Sequence, residues 1–399
     1  MPHTQTKIGL ATATAVCLNA MIGSGIFTAP AAIASQVGPA GILAYLFVGI
    51  AVWCLALSFA RLAQLLPHEG SFYIYTRAWA GHYAGLLAAA LYLFGLTVAM
   101  GMLGHVCSFY LADLLPMFSA GTLGLGTIGI IVLLNIFGVV LSQVGQQILL
   151  VCTLFPLIAI SILCLMHAQW SNFVPFAPYG FGNILSVTRV VIFGFLGFEC
   201  ASSLYGIVEN AYKNVPRAIS YSIGLITLIY MIFVSAIISA VPLHLLQDLT
   251  VPLSTTLSSV FGWYGILLYG IHLAILSSIL GTLHSMIWSA STLLHSIAHK
   301  INLVRPRLNC LSTSTQQKIM VLIIGSAIAT NYILFDNLNL FFSLSMICII
   351  AAFCLSITYL LFVPEEWKSG RNSITIIGLT TATIIAYFSL QGLLQAWPY

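Results

Sequence analysis

Glu199 follows a Gly194-Phe195-Leu196-Gly197-Phe198 run inside an apolar stretch, and Gly23-Ser24-Gly25 interrupts an earlier one. A carboxylate at bilayer depth costs about 2.5–3.5 kcal/mol on insertion scales, so Glu199 is expected to face a cavity or a polar partner. Two readings of it stay open. It is a proton acceptor or pH sensor for a coupled process, or a protonated group that bonds the backbone of a broken helix. The glycines permit non-helical backbone and let a ligand approach the chain. A helix broken in hydrocarbon exposes N–H and C=O groups that lipid does not satisfy, so such breaks persist where a cavity or ligand supplies partners.

The two breaks are chemically complementary. Amides of Gly25, Ile26 and Phe27 would open a half-helix whose positive dipole end suits a carboxylate. Carbonyls freed around Phe193 and Gly194 would accept from an ammonium group. Together they describe a site for the backbone of an amino acid, with Ile22, Gly23, Ser24, Gly25, Ile26, Phe27, Phe193, Gly194 and Gly197 as substrate-binding candidates. Close helix packing through Gly23 and Gly25 is the alternative for either break alone. Transporters with inverted repeats place substrate where two interrupted helices meet near the midplane, which favours a secondary transporter.

The elements that must position these residues are membrane spans. The chain is 60% hydrophobic and 5% charged, with a mean hydropathy of +1.06, which places it among integral membrane proteins. Apolar runs of about 20 residues give about eleven spans, near 8–35, 41–61, 83–112, 122–142, 147–168, 184–211, 217–242, 262–298, 317–335, 338–362 and 373–397. With a cytoplasmic N-terminus, every Lys and Arg except Arg189 falls on the cytoplasmic side, while the outer loops carry Asp113, Asp248 and Asp336. The C-terminus is then expected outside. Residues 1–399 read as one membrane domain, with 1–168 a first five-helix repeat, 184–362 its inverted counterpart and 373–397 an additional helix. The 62–82 and 299–317 segments are expected to hold short amphipathic helices against the bundle. A signal peptide over residues 7–34 is the rival reading; its removal would invert the charge pattern of every later loop.

Several function classes are disfavoured. The net charge of +4 follows from topology and implies no nucleic-acid partner. The nine cysteines show no CxxC spacing, and His105, His272, His284 and His295 are scattered without HExxH, so no metal or cofactor is expected. His284 and Trp288, one turn apart, are candidates to line a cavity. A primary pump would need a Gly-x-x-x-x-Gly-Lys-Ser/Thr loop, and an intramembrane enzyme a nucleophile–base pair such as Gly-x-Ser-x-Gly; the chain has neither. Arg189, roughly three helical turns outward of Glu199, reads either as an outer gate or as a snorkelling side chain. Arg61, Glu209 and Lys213 read as a cytoplasmic ionic gate or as ordinary positive-inside anchors. Ser277-Ser278 offers hydroxyls for a sodium ion or simply packs.

Three motifs carry a family resemblance. Asn19-Ala-Met-Ile-Gly-Ser-Gly-Ile-Phe-Thr-Ala-Pro30 resembles the first-helix signature of the amino acid–polyamine–organocation superfamily. Ala60-Arg61-Leu62 with Pro67-His-Glu-Gly-Ser-Phe-Tyr-Ile-Tyr75 is similar to its cytoplasmic signature, with Ser71 where a second Gly is usual. Gly194 to Ser202, continuing through Glu209-Asn-Ala-Tyr-Lys-Asn-Val-Pro-Arg-Ala-Ile219, resembles the basic amino acid and polyamine antiporter branch, whose sixth helix carries a Glu where Glu199 stands. The resemblance implies an all-α, five-plus-five inverted-repeat fold like that of the leucine transporter, with helices 1 and 6 broken, and alternating access. It implies an amino acid or polyamine substrate, a bilayer setting such as a bacterial inner membrane, and leaves a homodimer open.

The chain also departs from that pattern. Members commonly have twelve spans. Met100 falls where the arginine/agmatine exchangers present an Asn to the guanidinium, and Phe193 takes the place of their gating Trp. The fifth span carries no Lys, unlike some proton-coupled relatives. A cavity lined by Phe27, Tyr92, Met100, Phe193 and Phe198 favours a neutral or aromatic amino acid. A cationic or polyamine exchanger and a non-transporting amino acid sensor are the alternatives.

Overall fold

The structure, a computed structural model, describes residues 7–396 apart from Ser24, Gly138, 247–252, Trp263, Leu303, Asp336 and 364–371. Ser24, Asp248 and Asp336 of the sequence reading therefore lie outside the described residues, as do the side chains of Arg189 and Asp113.

The chain folds as helices because nearly every long segment is apolar all round, and a backbone in hydrocarbon must satisfy its own hydrogen bonds. The first expected span is two helices, α1 (Leu10–Met21) and α2 (Gly25–Val37), followed by α3 (Gly41–Leu65). Next come α4 (Ser71–Leu114), α5 (Ala120–Ile136) and α6 (Val139–Met166). The sixth span begins as α7 (Ile184–Phe193) and resumes as the single turn α8 (Cys200–Ser203). Then follow α9 (Ala211–Ala240), the short α10 (Leu243–Leu246) and α11 (Leu253–Phe261), and α12 (Tyr264–Ala298). The chain continues through α13 (Arg305–Asn309), α14 (Thr313–Leu334), α15 (Leu338–Ile357), α16 (Tyr359–Phe362) and α17 (Asn372–Ala396).

Among the described residues, seven helical segments are long and apolar enough to cross a membrane, and three shorter apolar ones accompany them. The expected count of about eleven differs because the first and sixth spans are in pieces and the fourth and eleventh fall among the shorter helices. Two boundaries are corrected. The fourth span stops at Ile136, and residues 139–142 belong to the next helix. The sixth is not one span to residue 211: its second half is α8 and a 3-10 turn at Tyr205–Ile207, because Gly197 (φ 127°) and Asn210 (φ 45°) turn the chain out of helical geometry. The segment 62–82 does hold a short helical stretch, the first turns of α4, set off by a kink at Gly81 (φ 85°).

Two packed groups meet at the breaks. α1, α3, α7 and α9 form one, with α3 against α7 and α9 and α1 against α9. α4, α5, α6, α12, α14 and α15 form the other, with α4 on α15 and α6 on α12. Helix association in lipid relies on van der Waals fit and small residues. At Gly95 on α4 a Cβ would lie 2.9 Å from the Ser345 carbonyl of α15, so only glycine permits that approach. α1 also packs on α6 and α12, which lays the first break across the seam between the groups.

Candidate functional site

The first break forms where α1 runs out at Met21. Ile22 N–H closes on the Leu18 carbonyl and Gly23 N–H on Met21, and the helix resumes at Gly25. Three carbonyls at the α1 terminus, of Asn19, Met21 and Ile22, find side chains. Thr282 of α12 lies with its hydroxyl 2.8 Å from the Asn19 carbonyl and 3.2 Å from that of Ile22. The Tyr230 hydroxyl of α9 donates to the Met21 carbonyl at 2.9 Å.

The second break follows Phe193. Gly194, Phe195 and Leu196 close turns onto Val191, Ile192 and Phe193 instead of continuing α7. Gly197 adopts a left-handed φ, and a Cβ there would lie 2.7 Å from the Ala20 backbone, so the two broken helices touch at that glycine. Two residues on, the buried Glu199 turns back. The Gly197 N–H donates to its Oε2 at 2.9 Å and the Tyr92 hydroxyl to its Oε1 at 3.0 Å. Both carboxylate oxygens thus have a donor, which meets the demand a charge at this depth makes.

A cavity, open at its mouth, lies between the breaks. Gly23 and Gly25 bound it on one side, and Phe193, Gly194, Leu196 and Glu199 on another. Ala99, Met100 and Leu103 of α4, Thr282 and Met286 of α12, and Ile349 of α15 make up an apolar wall. Gly25 is the first residue of α2, so the positive end of that helix faces the cavity. The Tyr230 hydroxyl also lies 3.0 Å from the Gly194 carbonyl, so one side chain spans the freed carbonyls of both breaks.

Of the substrate-binding candidates, Gly23, Gly25, Met100, Phe193 and Gly194 line this cavity, and Glu199 does too. Phe193 also packs against Val98, Met102 and Phe341, which holds it across the cavity's flank. Ile26 and Phe27 are buried in the core, Phe27 edge-on to Phe233, and Ile22 meets Thr282 through its carbonyl. Tyr92 stacks on Phe72 and acts through Glu199, and Gly197 serves the Ala20 contact and Glu199. Arg189 is on α7, within the described backbone only.

The gate candidates lie at the end of the bundle that carries most of the cations. Arg61 bonds Gln64 at 3.4 Å, Lys213 begins α9, and Glu209 N–H donates to the Ile8 carbonyl. Ile8 N–H donates in turn to Ile207, so the chain before α1 pairs with the chain after α8. Trp288 is buried in the core, and His284 points to Asn135 of α5; the α12 residues that reach the cavity are Thr282 and Met286.

Sequence reasoning missed Tyr230, Thr282, Met286 and Ile349. Tyr230 is a buried hydroxyl on the mostly apolar α9, which marks it as needing a partner but does not say which. Among the described residues no group of three or more His, Cys, Asp or Glu side chains is placed to hold a metal ion.

Sequence comparisons place the chain among known proteins. The branched-chain amino acid permease of Bacillus subtilis is 24% identical over 63% of this chain and 59% of its own length. The lysine-specific permease of Escherichia coli is 27% identical over 71% of this chain and 62% of its own length. The vacuolar cationic amino acid transporter 4 of Arabidopsis thaliana is 28% identical over 71% of this chain and 51% of its own length. The chain thus spans between about half and three-fifths of these relatives. The amino acid permease family profile matches residues 8–397, nearly the whole sequence, and the chain belongs to that family, as an all-α integral membrane protein.

Proposed function

We propose that this protein is a secondary transporter that carries a neutral amino acid across a membrane by alternating access. The observation that carries this reading is the pair of breaks facing one cavity, with a helix N-terminus at Gly25 for the substrate carboxylate and the Met21 and Gly194 carbonyls for its ammonium. The apolar wall of Met100, Leu103, Met286 and Ile349 suits an uncharged side chain. Glu199, the one carboxylate among the described residues of the cavity wall, already holds two donors.

Residues 1–168 and 184–362 act as inverted repeats, and the cation-rich end, with the segment before α1, faces the cytoplasm of a bacterial inner membrane. A cationic substrate is the second reading, favoured by the lysine and cationic relatives and by the presence of Glu199 in the wall.

The test is uptake by purified protein in liposomes, with a panel of labelled amino acids and vesicles empty or preloaded with the same compound. Saturable uptake of leucine or another neutral amino acid, blocked by neutral competitors, is expected. Competition by arginine or putrescine alone would move the substrate to the cationic class. No saturable flux for any panel member would make the protein a sensor on the same fold.

A further inference from the structure

We propose that His284 is a proton-binding site on the scaffold side of the first break, beside the hydrogen-bonded unit that Ser285 and Gln146 form with α1. The inference rests on the transport reading above and names its coupling ion.

His284 is fully buried on α12, between two residues that hold α1. Thr282 bonds the Asn19 and Ile22 carbonyls. Ser285 donates to Gln146 Oε1 at 2.8 Å, and the Asn19 side-chain amide donates to that same oxygen at 2.6 Å and to the Gln146 carbonyl at 2.7 Å. The last turn of α1, Gln146 of α6 and α12 therefore form one hydrogen-bonded unit.

The imidazole engages the neighbouring helix. His284 Nδ1 lies 2.8 Å from Asn135 Nδ2. The same Nδ2 donates to the Ile131 carbonyl at 3.0 Å, which fixes the amide so that Nδ1 accepts and the ring is neutral with its proton on Nε2. A proton arriving at Nδ1 would set donor against donor. Asn135 must then turn its Oδ1 toward the ring and release Ile131.

The surroundings are built for a second arrangement. Among the described residues, Asn135 Oδ1 and Gln146 Nε2 are both buried without a hydrogen-bond partner. Buried polar groups are nearly always paired, so an orphan acceptor and an orphan donor on the adjacent helices α5 and α6 mark a network only partly satisfied in this state. At Gly145, next to Gln146, a Cβ would stand 3.4 Å from His284 Nε2, so the missing side chain leaves the ring room on that side.

Few other groups compete for the proton. α5 has no ionisable side chain, α6 has Cys152 and Cys164, α1 has Cys17, α8 has Cys200 and α11 has none. On α4, Arg77 and Asp113 lie toward the ends, and His82 and the tyrosines Tyr73, Tyr75 and Tyr83 sit in the first turns. Further along α4, His105 Nε2 contacts the Tyr332 and Phe335 carbonyls, Cys107 meets Thr127, and Tyr92 is committed to Glu199. α12 itself adds His272, edge-on to Tyr110, and His295, bonded to Gln316. α14 adds Lys318 near its start and Tyr332. His284 is therefore the imidazole set between α5 and α6, where protonation bears on the first break.

The experiment has a spectroscopic and a transport arm. Protein labelled with 15N-histidine, in nanodiscs, is compared with His284→Gln and Asn135→Leu. One imidazole signal, lost in His284→Gln and moved in Asn135→Leu, is expected to titrate between pH 5 and 8. Leucine accumulation driven by an inward proton gradient is expected to fall at least tenfold in His284→Gln, while leucine counterflow at equal pH persists. A His284 signal that does not titrate in that range, or accumulation by His284→Gln equal to wild type, overturns the proposal. Should wild type move no amino acid at all, the transport reading falls and the spectroscopic arm alone decides whether His284 binds a proton. Should His284→Gln fail to fold, the Asn135→Leu comparison carries the test: an unmoved imidazole signal overturns the proposal.

Discussion

Tyr230 donates its hydroxyl to the Met21 carbonyl across 2.9 Å, and its oxygen lies 3.0 Å from the carbonyl of Gly194. One hydroxyl from α9 thus holds the ends of two broken helices in register. Tyr230→Phe keeps the ring and its packing on Tyr45 and Phe195 but leaves both carbonyls short of a donor. A loss of about 1–3 kcal/mol is expected in unfolding measurements in detergent. Weaker amino acid binding should accompany it, and unchanged stability would mean that water replaces the hydroxyl.

Glu199 separates a structural from a titrating role. Glu199→Ala would orphan the Tyr92 hydroxyl and the Gly197 N–H in a buried setting, at about 1–3 kcal/mol for each group. Glu199→Gln retains an acceptor for Gly197, and Tyr92 can accept from the new amide. We expect it to fold and to keep the pH profile of transport, whereas His284→Gln flattens that profile. A flat profile in Glu199→Gln would return the proton to Glu199.

Two glycines of the breaks should fail in different ways. A Cβ at Gly25 meets nothing within 4 Å and Gly25 lines the cavity, so Gly25→Val is expected to fold yet lose amino acid binding by tenfold or more. At Gly197 the left-handed φ and the Ala20 backbone both oppose a side chain, so Gly197→Ala should lower stability first. Binding isotherms beside melting curves separate the two. Full binding by Gly25→Val would refute the carboxylate position.

The segment before α1 supplies a third kind of test. Ile8 N–H donates to Ile207 at 2.8 Å and Ile8 accepts from Glu209 at 2.9 Å, a short clasp beneath both breaks. Ile8→Pro deletes the first bond and is expected to open the cation-rich end, read as faster labelling of Cys17 or Cys200 by a thiol reagent added from that side. Equal labelling rates would show that the clasp does not close the path.

The sequence by itself determined the membrane class, the all-helical fold and the places where two helices must break. Those properties follow from local composition: apolar runs long enough for a bilayer, and glycines where backbone leaves the helix. It also marked Gly23, Gly25, Met100, Phe193, Gly194 and Glu199, each of which lines the cavity. Only the tertiary structure decided the partners. Tyr230 stands 209 residues from Met21, and Thr282 stands 263 from Asn19, so nothing in their local sequence reveals that these hydroxyls satisfy those carbonyls. The same holds for His284, which one-turn spacing with Trp288 directed toward the cavity and which packing turned toward Asn135. A hydroxyl or imidazole in an apolar helix announces that it needs a partner. Which carbonyl or amide answers is set by how the helices cross, and that is fixed only when all of them pack.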